Sequence, residues 1–218
     1  MDQFVVFLCK IGLHAFFPEY SLNFIRSQSN RYYWKGKEWI AFIQKEKIDG
    51  ETHDMGFKMY CSYGEIVKIT GAPEYKDILL TSAETLSKRF DPKVGSIRSW
   101  DFGEWQFPVI IDNMMNLELL FEATQLTGDS TYHQIAETQA YTTMKNYFRD
   151  DFSSYHVVDY DKMTGEVLQK ATHQGINDSP VWSWGQAWGF YGFEMTYRYT
   201  QNKNFLNQAV RVIDFIKK

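Results

Sequence analysis

Two carboxylates occupy positions in the sequence that call for a chemical explanation. Asp112 is the lone carboxylate in residues 108–117, a largely apolar stretch that opens a predicted helix. Asp54 lies at the start of another predicted helix, within residues 52–57. Paired carboxylates supply the acid and the base of glycoside hydrolysis, so the sequence indicates a two-carboxylate site. The structural alternatives are a helix cap formed by Asp54 or Thr52 and a first-turn Asp112 stabilised by the helix dipole.

Two opposing effects act on the proton affinity of Asp112. The N-terminus of a helix favours the charged carboxylate, whereas apolar surroundings favour the neutral acid. If desolvation dominates, the proton affinity rises toward what a proton donor needs at the working pH. Asp112 is therefore the candidate catalytic acid.

Loops between the predicted helices are rich in aromatic and hydrogen-bonding side chains, in a chain that is 17% aromatic. Such loops can stack on a sugar ring and hydrogen-bond its hydroxyl groups at the same time. For Trp188 the alternative of core packing is strong. The predicted substrate-binding residues in these loops are Trp100, His173, Gln174, Trp182 and Trp188.

A further candidate, His156, lies in residues 155–160, the one stretch that reads as a short strand or ribbon. From the sequence it is as readily a loop histidine with internal partners as a substrate contact. The histidines and acidic residues show no HExxH or similar spacing, and Cys9 and Cys61 form no CxxC pair. We therefore predict no catalytic metal and no cofactor.

The elements that must position these residues are helical hairpins. Three segments share a pattern in which a helical stretch ends at a threonine, turns through small or polar residues and restarts at an aromatic residue. They span residues 70–75, 127–132 and 200–205, with a weaker echo at 35–39. Gly71 and Gly128 suit the left-handed position after a helix, Pro73 suits a first turn, and Asp129 or Ser130 can cap the next helix. The pattern predicts an all-α fold, an α/α toroid, with a plain helical solenoid as the alternative.

Composition narrows the class of protein. The 218 residues are 44% hydrophobic and contain no Pro/Gly/Ser-rich linker, so we predict a single domain over residues 1–218. The net charge of -4 argues against a nucleic-acid partner, which requires a basic stripe. No apolar run approaches the roughly 20 residues that cross a bilayer. The short run at residues 4–8 lacks the features of a signal peptide, and the sequence leaves the cellular compartment open.

At these segments the sequence resembles the unsaturated glucuronyl hydrolases of glycoside hydrolase family 88. The resemblance runs from about Lys47 to the C-terminus and implies an (α/α)6 barrel. It also implies that the substrates are unsaturated uronyl oligosaccharides left by polysaccharide lyases acting on chondroitin, hyaluronan or heparin. The matching motifs occupy residues 53–57, 98–100, 111–117, 173–175 and 185–188.

The resemblance further implies a reaction that begins with hydration of the vinyl ether double bond. The residue matching Asp112 donates a proton to C4 and helps water to add at C5, and collapse of the resulting hemiketal then breaks the glycosidic bond. Asp54 assists in the site, while His156, Gln174 and the nearby tryptophans hold the sugar.

Three departures from the family pattern qualify this expectation. Trp184 stands where the family usually carries arginine, so Arg98, Lys170 or a different subsite chemistry must replace that cation. Residues 1–30 fit the family poorly, and the chain ends before six hairpins can close, so we expect a barrel that is truncated at the C-terminus. The alternative functions are an unsaturated rhamnogalacturonyl hydrolase, which the motif at 185–188 disfavours, and an inactive scaffold that only binds acidic sugars.

Overall fold

Three helical hairpins follow one another along the part of the chain that the structure describes. The computed structural model describes residues 40–173 and 181–217, and the α-helices in these ranges pair as the three turn motifs predict. The first hairpin is α1 (Glu65–Thr70) and α2 (Pro73–Ser87), the second is α3 (Leu117–Thr127) and α4 (Ser130–Asn146), and the third is α5 (Ser183–Thr200) and α6 (Lys203–Ile216). The weaker echo at residues 35–39 lies outside the described residues.

The turns form for the reasons that the sequence suggests. Gly71 and Gly128 adopt positive φ angles of 65° and 77° after α1 and α3, where a residue with a Cβ would be strained. Asp129 caps α4, because its carboxylate accepts a hydrogen bond of 2.8 Å from the backbone N–H of Thr131. In the third turn Gln201 takes the left-handed conformation instead of a glycine.

The first helix of two hairpins is preceded by a helical segment of different pitch. A π-helix (Gly56–Gly64) runs into α1, and a 3-10 helix (Ile111–Asn116) runs into α3. A separate 3-10 helix (Gln44–Ile48) lies upstream. Within the described ranges, no helix is both long and apolar enough to cross a membrane.

In the described residues, five short strands form two small antiparallel sheets, so strands are more frequent than the sequence indicates. In the first sheet β1 (Phe90–Asp91) pairs with β2 (Ser96–Ile97), and in the second the order is β3 (Pro108–Ile110), β4 (Val157–Tyr160) and β5 (Val167–Ala171). The ribbon expected at residues 155–160 is confirmed as β4.

The expectation that residues 108–110 open a helix is wrong. Val109 and Ile110 pair with Val158 and Val157, and all four side chains are buried. Such β-branched residues favour a strand when a partner strand is present. The partner is distant in sequence, which is why the local pattern misses it. The predicted opening turn therefore begins only at Ile111, as a 3-10 helix.

Helix α5 packs very closely on this 3-10 helix through glycines. A Cβ added at Gly185 or Gly189 would lie 3.0 or 3.2 Å from the side chain of Ile111. A Cβ at Gly192 would overlap the Cβ of Met114. The absence of side chains on this face of α5 thus lets the segment that carries Asp112 sit directly against the helix.

This packing predicts the effect of a single methyl group. Gly192→Ala should lower the free energy of unfolding by about 1–3 kcal/mol, because the added methyl overpacks the contact with Met114. Urea denaturation followed by circular dichroism measures the change. Gly50→Ala is the matched control, since nothing lies within 4 Å of a Cβ at that position. Equal stability of the two variants would contradict the close contact.

Candidate active site

The pairing of β3 with β4 brings Asp112 and His156 together. Ile110, the last residue of β3, is the register partner of Val157, the first residue of β4. The backbone N–H of Ile111 extends this ladder by donating to the carbonyl of His156 at 3.0 Å. As a result, Asp112 Oδ2 lies 3.9 Å from His156 Nε2, and both side chains are buried. Two residues 44 positions apart therefore form one site.

The hydrogen bonds of His156 determine which ring nitrogen carries its proton. Nδ1 lies 3.0 Å from the backbone N of His173, and an amide N–H can only donate. Nδ1 is therefore the acceptor, and the neutral ring carries its proton on Nε2, the nitrogen that faces Asp112. The Thr172 hydroxyl lies 3.5 Å from the same Nδ1. His156 thus points an N–H toward the candidate acid.

Asp54 lies beside another histidine, at the entrance to the π-helix. His53 Nε2 is 3.3 Å from Asp54 Oδ1, and the two residues are 6% and 5% exposed. Met55 occupies the N-cap position of the π-helix, which has no side-chain cap hydrogen bond. The carboxylate of Asp54 is thus buried next to an imidazole.

Two buried polar residues connect the segments that carry the two carboxylates. Asn116, at the end of the 3-10 helix, accepts hydrogen bonds from the backbone N–H groups of Gly56 (2.8 Å) and Phe57 (3.2 Å). Ser99 accepts from Ile110 through its hydroxyl at 2.9 Å and from His53 Nδ1 through its carbonyl at 2.8 Å. The start of the π-helix, β3 and the 3-10 helix are thereby held in one unit.

A fully buried tyrosine supports β3 from beneath. The hydroxyl group of Tyr147 donates to the carbonyl of Val109 at 2.7 Å. Burial raises the pKa of Tyr147 well above its ordinary value, and the charge on Asp112 acts in the same direction. Tyr147 therefore remains a protonated donor that holds the strand leading to Asp112.

Aromatic rings surround the Asp112 and His156 pair on one side. The ring of Trp182 lies 4.3 Å from that of His156. Trp100 is stacked on Phe102 at 5.5 Å and lies 5.0 Å from His173, with 7% of its surface exposed. Phe102 is 61% exposed. The structure thus places Trp100 as the support of an aromatic surface whose open faces belong to Phe102 and His173.

The remaining predicted tryptophan packs elsewhere. Trp188 meets Phe57 edge-on at 5.2 Å, and the half-exposed Trp184 lies 5.5 Å from Trp188. The partly exposed Trp188 ring therefore contributes to the contact between α5 and the π-helix, outside the buried core of the described residues. Gln174, the other predicted contact, lies outside the described residues.

The two candidates for binding a substrate carboxylate differ in their surroundings. Arg98 already forms an ion pair with Asp101 at 2.8 Å, which also pairs with Arg89 at 2.7 Å. Lys170, on β5, lies with its ammonium group 5.1 Å from the centre of the Tyr155 ring. Burial, reinforced by the nearby Arg149, lowers the pKa of Lys170.

Several residues of the site were not predicted to have a role. Ser99 and Asn116 act through hydrogen bonds to partners far along the chain, which no local pattern reveals. Phe102 lies in the same aromatic loop as Trp100, and only Trp100 was predicted to bind the substrate. Gln186 falls in a recognised motif, yet its side chain anchors the loop before β4. Its side-chain oxygen accepts a hydrogen bond from the backbone N–H of Ser154 at 2.6 Å, and its side-chain NH2 group donates to the carbonyl of Phe152 at 3.2 Å.

Comparisons with known proteins identify relatives of the chain. No protein-family model matches the chain. An unsaturated glucuronyl hydrolase of Formosa agariphila is 51% identical over 184 residues, which are 83% of this chain and 46% of that protein. An unsaturated chondroitin disaccharide hydrolase of Streptococcus pneumoniae is 36% identical over 77% of this chain and 43% of that protein. The chain thus spans less than half the length of these curated relatives.

Solved structures match over nearly the whole chain. A crystal structure of an unsaturated glucuronyl hydrolase specific for heparin superposes with a TM-score of 0.89 and 44% identity, over 94% of this chain and 55% of that one. Structures of this kind are six-hairpin toroids. The predicted all-α, α/α toroid class is therefore confirmed, and the three described hairpins are part of such a toroid.

The anchoring role of Gln186 leads to a test. Gln186→Met keeps the length of the side chain but removes both hydrogen bonds, which leaves the buried Ser154 N–H without its acceptor. We expect a loss of about 1–3 kcal/mol in the free energy of unfolding and faster hydrogen exchange at the Ser154 amide, both measurable by NMR. The exposed Gln134→Met on α4 is the control. Unchanged exchange at Ser154 would contradict the anchoring role.

Proposed function

Because the chain belongs to the family of unsaturated glucuronyl hydrolases, we propose that the whole protein is a glycosidase that removes the terminal 4,5-unsaturated uronic acid residue from oligosaccharides. The observation that carries this proposal is the buried Asp112, whose Oδ2 lies 3.9 Å from the N–H-bearing nitrogen of His156. A buried carboxylic acid beside a hydrogen-bond donor is suited to giving up a proton and then being stabilised as a carboxylate.

The proposed reaction adds one water molecule and uses Asp112 twice. Protonated Asp112 transfers its proton to C4 of the C4=C5 double bond, and positive charge develops at C5 and the ring oxygen. Water bonds to C5 and gives a proton back to Asp112. The C5 hemiketal then opens by breaking its bond to the ring oxygen, and the hemiacetal left at C1 expels the remaining sugar as an alcohol.

His156 has a supporting role in this scheme, and Asp54 is proposed to assist in the same site. The 3.9 Å between Asp112 Oδ2 and His156 Nε2 exceeds hydrogen-bonding distance, so an oxygen of the substrate or of water can be placed to contact both. His173 and Trp182, which contact His156, are proposed to position the sugar, together with Gln174.

We assign the substrate carboxylate to Lys170 rather than Arg98. The guanidinium of Arg98 is engaged with Asp101. The ammonium group of Lys170 instead lies over the ring of Tyr155, the residue before His156, on a strand paired with β4. A cation there compensates for the arginine that Trp184 replaces.

The proposed substrates are unsaturated disaccharides derived from glycosaminoglycans. The relatives include a hydrolase specific for heparin and one named for chondroitin disaccharides. The exposed ring of Phe102, supported by Trp100, provides a flat surface on which a second sugar ring can stack.

The role of Asp112 is tested by replacing its carboxylic acid with an amide. Asp112→Asn should reduce turnover by at least about 100-fold, because an amide cannot protonate C4. Loss of absorbance of the unsaturated uronyl group is followed on heparin, chondroitin and hyaluronan disaccharides. Asp77→Asn, on the exposed face of α2, should match the wild type. If Asp112→Asn and the wild type turn over equally, the proposed role fails.

The role of Phe102 is tested by binding. Phe102→Ala should raise the dissociation constant for an unsaturated disaccharide by roughly 3- to 10-fold, since a stacking surface is lost. Calorimetry in the Asp112→Asn background keeps the sugar intact. Val210→Ala, which shortens an exposed side chain on α6, is the control. An unchanged dissociation constant in Phe102→Ala would show that the sugar does not reach this ring.

A further inference from the structure

The two histidines of the site both present Nε2 to an acidic neighbour, but their Nδ1 atoms have opposite hydrogen-bonding roles. His156 accepts a backbone N–H at Nδ1, as described above. His53 Nδ1 lies instead 2.8 Å from the carbonyl oxygen of Ser99, which can only accept. Nδ1 of His53 therefore carries a hydrogen. A neutral imidazole with hydrogen on Nδ1 would have a bare lone pair at Nε2.

That lone pair would face a carboxylate. His53 Nε2 is 3.3 Å from Asp54 Oδ1, and both residues are buried. Two unprotonated atoms at this distance repel each other strongly where little water screens them. The contact is attractive only if one of the two atoms carries a proton. Imidazole ordinarily binds a proton more tightly than a carboxylate does, by about 2.6 pH units.

We propose that His53 is a positioning residue that is held as an imidazolium ion between Ser99 and Asp54. Its Nδ1–H fixes the ring to the Ser99 carbonyl, and its Nε2–H fixes the Asp54 carboxylate. The inference rests on the proposed function in one respect, that Asp54 works beside Asp112. The positive charge of His53 then offsets the negative charge of Asp54, so an anionic uronyl group can enter a site that contains two acidic residues.

The charge state is measured without any turnover. Nitrogen-15 NMR of the histidine-labelled chain at pH 7 resolves both ring nitrogens of its five histidines, assigned by single His→Gln variants. We expect two protonated nitrogens for His53. In Asp54→Asn the side-chain amide can donate to Nε2, so His53 should become neutral. His133, beside Glu137 on the surface of α4, is the matched control and should not respond to Asp54→Asn. A neutral His53 in the wild type, or a still doubly protonated one in Asp54→Asn, overturns the proposal.

Two substitutions then separate positioning of Asp54 from simple support of the fold. In His53→Asn the amide can replace Nδ1 and keep the bond to Ser99, whereas in His53→Gln it can replace Nε2 and keep a donor to Asp54. We expect the turnover rate of His53→Gln to exceed that of His53→Asn by roughly 10-fold or more. The reverse order would show that only the Ser99 bond matters. If the wild type hydrolyses no unsaturated disaccharide, the proposed function fails while the NMR result still decides the charge of His53.

Discussion

The antiparallel pairing of β3 with β4 is the constraint on which the candidate site depends. It is only three residues long on β3, yet its ladder ends at Ile110 and Val157, directly beside Asp112 and His156. The next hydrogen bond, from Ile111 to the His156 carbonyl, leaves the two side chains little freedom to separate. Tyr147 beneath the strand and the glycine face of α5 above the 3-10 helix hold this pairing in place.

The site is assembled from the N-terminal ends of three helices. Asp54 precedes the π-helix, Asp112 lies in the first turn of the 3-10 helix, and Trp182 is the N-cap of α5. The aligned peptide dipoles of a helix give such ends partial positive charge. A chain with a net charge of -4 therefore places positive helix ends at its candidate site.

Local chemistry explains which features were predictable. The turns at Gly71 and Gly128 depend on conformations that neighbouring residues specify, and Asp112 is conspicuous because acids are rare in apolar stretches. Residues 108–110, by contrast, were expected to be helical but form a strand, because they pair with a strand about 50 positions away. Ser99 and His53 likewise gain their roles from each other across 46 positions, which no window of sequence contains. Trp100 was rightly placed in an aromatic loop, but its burial depends on Ile110 and Val157.

The hairpin turns lie at the far ends of the helices whose first residues build the site. Helix α3, of 11 residues, separates Asn116 from Gly128 by roughly 16 Å. The surface loop at Gly128 and Asp129 is exposed and has open space around the glycine. A fluorophore or an immobilising tether attached there would report on the protein, or fix it to a support, while leaving the candidate site unobstructed.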